Sequence, residues 1–166
     1  MKKNIKTAAG IFAAAVFQSM LCPYIKIGAV MPNLLCVFAL YNALSEKDAV
    51  RIMITAAAAG AVMDCLTGRI FGLYTVAYLV ISVLTCVAKG MLFKDGLAVN
   101  TPLFFILCII GSILFYVMNL GVLKNTSFWY SLFFIILPEA AYNTVIYIIT
   151  ALLLRKKKRT KAGIMR

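Results

Sequence analysis

Six long apolar runs, parted by polar breaks of only a few residues, constrain this chain more than any other feature. Thr7 to Ile25, Ile27 to Ser45, Ile70 to Ala88 and Gly96 to Leu123 carry no charge, while Ile52 to Gly68 carries only Asp64 and Asn125 to Leu154 only Glu139. A helix of about 20 apolar residues crosses about 30 Å of hydrocarbon. The runs therefore predict an all-α integral membrane bundle of six transmembrane helices, over 7–25, 27–45, 52–68, 70–88, 101–123 and 127–154. Thr101-Pro102 suits the start of the fifth, because proline is at home in a first helical turn. Residues 1–155 read as one transmembrane domain and 156–166 as a basic tail. The first run has the form of a signal peptide. It is expected to be retained, because no small-x-small cleavage site leads into a polar mature region.

Charge distribution orients the bundle. Of the 17 basic residues, seven lie from Arg155 onward and three at the start, as Lys2, Lys3 and Lys6. Six crossings with both termini in the cytoplasm place fourteen basic residues inside and only Lys26, Arg69 and Lys124 outside, as the positive-inside rule expects. The net charge of +12 is thus read as anchorage to anionic membrane lipids, not as a nucleic-acid surface, since no basic face is interleaved with aromatics. With 64% apolar residues and no histidine, little is available to solvate a globular domain. The five cysteines are scattered without a C-x-x-C spacing and read as small apolar residues.

Two acids lie within membrane runs. Asp64 stands thirteen residues beyond Arg51, about 20 Å along a helix. A carboxylate in that setting costs about 2.5–3.5 kcal/mol and calls for a partner inside the bundle. A relay for protons or ions and a satisfied carboxylate that fixes helix packing are the two readings. The second is favoured, with Arg69 and neighbouring hydroxyls or amides as partners. Glu139 follows Pro138, where proline removes a helical hydrogen bond and can kink the helix. A mid-membrane Pro-Glu pair can mark an ion site. Without histidine or a buried lysine it makes a poor proton wire.

Small residues mark close packing. Thr55 to Ala61 is almost entirely small, and the Ala56 to Gly60 spacing, with Ala57 between them, lets helices approach closely in lipid. No nucleophile–base pair, phosphate loop or metal-ligand cluster is visible, so neither catalysis nor a cofactor is expected.

Pro32-Asn33-Leu34-Leu35, the stretch from Gly60 through Asp64 to Gly68, then Gly72-Leu73 and Ala77-Tyr78, resemble the rod shape-determining MreD family. That family has a Pro-Asp/Asn-hydrophobic head on helix two and a glycine–aspartate pattern across helices three and four. Gly60, Asp64, Gly68 and Gly72 match the pattern throughout. Pro138 and Asn143 match more loosely, and Asn33 stands where aspartate is commoner. Physically, the spacing predicts a short outer hairpin with Gly68 as C-cap and Gly72 at its far end. The resemblance implies a non-enzymatic membrane scaffold of the bacterial cell-elongation machinery in the cytoplasmic membrane. It would bind MreC, with MreB and the RodA/class B penicillin-binding protein synthase nearby, and help link MreC to peptidoglycan synthesis. It also implies a bundle like the substrate-binding subunits of energy-coupling-factor vitamin transporters, and small-molecule binding in such a transporter is the alternative function. Pro32, Asn33, Ala57, Gly60, Asp64, Gly68, Gly72, Pro138 and Glu139 are the candidates for structural and partner-binding roles.

Overall fold

A computed structural model describes residues 2–27, 30–68, 71–91, 96–119 and 127–164. The described residues are helical almost throughout: α1 (Lys2–Met20), α2 (Leu34–Ser45), α3 (Ala49–Thr67), α4 (Leu73–Met91), α5 (Leu97–Met118), the short α6 (Phe128–Ser131) and α7 (Leu137–Ile164). A π-helical turn, Leu132–Ile136, joins α6 to α7. Four spans are long and apolar enough to cross a bilayer: α3, the first 18 residues of α4, α5, and Phe128–Leu154. Large apolar side chains stand exposed on all of them, among them Ile54, Val87, Ile106, Phe133 and Leu153. Lipid accommodates such a surface; water does not. The chain is a multi-pass membrane protein.

The first two runs depart from full-length crossings. In α1 the first turns are lysine-bearing, and the helix gives way to turns at Leu21. The second run becomes helical only at Leu34, not at Ile27, which leaves α2 at 12 residues. That is about 18 Å, short of the hydrocarbon thickness. Local chemistry sets this start. Pro32 disfavours helix in the residue before it. Asn33 then takes the N-cap position, its side chain accepting from the Cys36 N–H at 3.0 Å. Ahead of it lie a turn and a small Ile27–Val30 bridge. Helix α2 is central: it meets α1, α3, α4, α5 and α7, and buries Leu35, Val37, Leu40, Ala43 and others. A helix apolar all round belongs inside a bundle.

Helix α3 starts at Asp48, whose carboxylate caps Val50 N–H and lies 3.4 Å from Arg51. It ends at Gly68, which has φ +60 and donates its N–H to the Asp64 carbonyl. Only glycine enters this left-handed conformation cheaply, so the helix stops where the hairpin begins. Helix α5 starts about a turn earlier than Thr101-Pro102 suggests, with Asn100 N–H bonded to Gly96 C=O, so Pro102 lies inside it. At the opposite end of the bundle the Lys89 ammonium donates to the carbonyls of Ala43 and Glu46. A cation thereby closes the negative end of α2.

Helices α3 and α4 form the most intimate pair. A Cβ on Gly60 would lie 2.5 Å from Thr75 Cα and 2.9 Å from the Tyr74 carbonyl oxygen. The two backbones touch there. In lipid such contact stabilises through dispersion and close fit, because helix burial displaces no water.

Candidate functional site

The sequence candidates gather into two groups that share a wall. The first is the α3–α4 hairpin. Gly72, with φ +102, occupies the N-cap position of α4 but has no side chain with which to cap it. Asp64 supplies the missing acceptor from across the turn. Its Oδ1 accepts from Tyr74 N–H at 2.9 Å. Its Oδ2 accepts from Gly72 N–H at 3.0 Å, Thr75 N–H at 3.1 Å and the Thr75 hydroxyl at 2.7 Å. One buried carboxylate thus satisfies three of the free N–H groups at the positive end of the next helix. Arg69, the partner expected from sequence, lies outside the described residues.

The second group surrounds the Pro32-Asn33 loop. The Gln18 side-chain amide on α1 donates to Pro32 C=O at 3.0 Å and accepts from Leu34 N–H at 2.7 Å. Asn33 N–H donates to Asn143 Oδ1 on α7 at 2.8 Å. The Tyr78 hydroxyl on α4 donates to Asn33 Oδ1 at 2.7 Å. One buried loop is therefore held from α1, α4 and α7 together. Gln18 is the residue that sequence reading missed. The signal was available: an amide within an apolar run needs a partner once lipid surrounds it.

Between α2, α4, α5 and the α6–α7 segment lies a cavity of about 190 Å³, lined by Asn33, Tyr74, Tyr78, Ser112, Ser131, Glu139 and apolar neighbours. It reaches from Tyr74 in the first turn of α4 to Ile81 in the third, so it occupies the half of the bundle nearer the hairpin. Tyr74 connects the two groups. Its N–H holds Asp64, and its ring stacks on Phe115 at 4.3 Å in the cavity wall.

Glu139 lines this cavity, and a π turn lies just before it in the chain. Pro138 has no N–H to offer, and in a regular helix its ring would crowd the Phe134 carbonyl. The chain instead widens over Leu132–Ile136, with Leu137 N–H bonding to Leu132 C=O five residues back. Such turns accommodate a break without ending the helix, and they cluster at functional sites. The break expected at Pro138 therefore takes the form of a widened turn.

Of the remaining candidates, Gly60 is buried in the α3–α4 contact and Ala57 is half-buried on α3. Pro138 is exposed, and Pro32 is buried in the loop clamp. Among the described residues no cluster of histidine, cysteine and acidic side chains has the arrangement of a metal site.

Comparison with known proteins agrees with the motif reading. A family model described as rod shape-determining protein MreD matches residues 1–157. No curated protein matches the chain. No solved structure matches it either.

Proposed function

We propose, for a chain that belongs to the rod shape-determining protein MreD family, the role of a non-enzymatic scaffold in the cell-elongation machinery of a bacterium. In this reading it lies in the cytoplasmic membrane with both termini inside. There it binds MreC and holds it near the RodA/class B penicillin-binding protein synthase, with MreB on the cytoplasmic side.

The observation that carries the reading is the family match over nearly the whole chain. The polar groups of the bundle support it. Gln18, Asn33, Asp64, Tyr78 and Asn143 all bond to this chain's own loops and helix ends. Their work is to hold a shape, which is what a scaffold requires. The outer faces of α1 and α3 are then free for other membrane helices, through exposed Phe12, Phe17 and Met20 on α1 and Ala58 on α3.

Depletion in a rod-shaped host tests the proposal, with co-purification of the tagged protein in detergent. Cells are expected to widen and round, and MreC and synthase subunits to be recovered with the tag. Unchanged cell shape, together with a growth defect rescued by an external vitamin and recovery of a transporter motor subunit, would overturn the scaffold in favour of the energy-coupling-factor alternative.

A further inference from the structure

Among the described residues nearly all fully buried polar side chains have partners, and a carboxyl and two hydroxyls without one, Glu139, Ser112 and Ser131, open onto the same cavity. Among the described residues nothing donates a hydrogen bond to the Glu139 carboxyl, and the Ser112 and Ser131 hydroxyls make no hydrogen bond. All three stand on the wall of the 190 Å³ space between α2, α4, α5 and the α6–α7 segment. The Ser82 hydroxyl, which is not part of this wall, is the one side-chain polar atom fully buried without a partner among the described residues, whereas Glu139 and Ser112 are only partly buried. A carboxyl inside a membrane bundle without a donor is costly, so groups of this kind usually mark a site that receives something.

The rest of the wall defines the class of ligand. Tyr74, Tyr78, Phe115 and Tyr116 present aromatic surface to the cavity, and the remaining lining is largely apolar. An acidic acceptor within an aromatic wall is the chemistry that holds an organic ammonium, through an ion pair on one side and ring faces on the other. A cavity of about 150 Å³ accommodates a benzene-sized molecule, so this one fits an ammonium group on a single ring or a short alkyl stem.

We infer that the Glu139 cavity is a binding site for an amphipathic primary amine, with the ammonium on Glu139 and the apolar stem among the α4 and α5 side chains. The inference is independent of the scaffold reading, since it rests on the cavity alone. A free amine and the ethanolamine head group of an aminolipid share this chemistry.

Phenethylamine is the probe. Its binding to the purified full-length chain in detergent is followed by calorimetry, with 3-phenylpropionate and propylbenzene as anionic and neutral counterparts. Saturable binding of the amine is expected, at least tenfold tighter than either counterpart. Glu139→Gln is expected to remove that preference while helicity and a monodisperse elution profile persist. Ser112→Leu, which fills the cavity and leaves the Glu139 carboxyl in the chain, is expected to abolish binding of the amine and of the hydrocarbon alike. Repetition in nanodiscs separates the two sources. Competition by phosphatidylethanolamine, relative to phosphatidylcholine alone, assigns the site to the lipid head group, and equal binding in both assigns it to a free amine. Failure of the folded wild-type chain to bind phenethylamine, or equal binding of all three probes, would overturn the inference.

Discussion

Asp64 shows how much a single side chain can organise. Its two oxygens receive four donors from residues 72 to 75, so the carboxylate ends the α3–α4 turn and begins α4 at once. The distribution is unequal, one donor on Oδ1 and three on Oδ2, which predicts the order of damage. Asp64→Asn keeps one acceptor but turns an NH₂ toward N–H donors, and each lost hydrogen bond to a charged group is worth about 1.5–3 kcal/mol. Asp64→Leu leaves all four donors unpaired in low dielectric and is expected to cost more. Thermal unfolding in detergent should therefore rank wild type above Asn and Asn above Leu. If Asn were fully as stable as wild type yet inactive in restoring cell shape, the charge would have a role beyond the turn.

At the scale of elements, the α3–α4 pair and α2 carry the architecture by different means. The α3–α4 contact depends on the absence of a side chain at Gly60, where any Cβ meets backbone that cannot rotate away. Ala58, on the same helix, is exposed. Gly60→Leu is expected to drive the helices apart and remove the protein from the membrane fraction. Ala58→Leu is expected to leave its abundance unchanged, as immunoblots of membranes would register. Should Ala58→Leu also fail to recover MreC, that face of α3 would be the partner surface. Helix α2 works differently. It is short because the Pro32-Asn33 cap starts it late, and it stays buried because Gln18, Tyr78 and Asn143 hold that cap in place.

For the whole molecule, the two ends of the bundle differ in a way that bears on orientation. Around the hairpin end stand exposed Tyr24, Trp129 and Tyr130, the amphipathic aromatics that settle at a membrane–water boundary. At the other end lie Arg51, Lys89 and the basic continuation of α7. With the basic end in the cytoplasm, reporter fusions at Lys94 and after Arg159 should signal inside, and those near Lys26 and Lys124 outside. An external signal from the tail would contradict the arrangement. Four of the six apolar runs form spans of full length, and the other two pack as α1 and the buried α2. Run length alone does not separate a lipid-facing helix from one enclosed by its neighbours.

The amino-acid sequence by itself determines that the chain is helical and built for lipid. The medium demands internally bonded backbone, and the lengths of the apolar runs meet that demand. The hairpin was legible too, since glycine at positions 60, 68 and 72 and aspartate at 64 each answer a local need for a close approach, a left-handed cap, a second turn residue and an acceptor. What only the tertiary structure decided is which distant groups meet. Gln18 and Pro32 are fourteen residues apart, Asn33 and Asn143 one hundred and ten. Nothing in the periodicity of either segment specifies such a pairing. The cavity beside Glu139 likewise arises only where four helices fail to fill the space between them. Packing of that kind depends on the relative placement of whole elements, and a local pattern does not encode it.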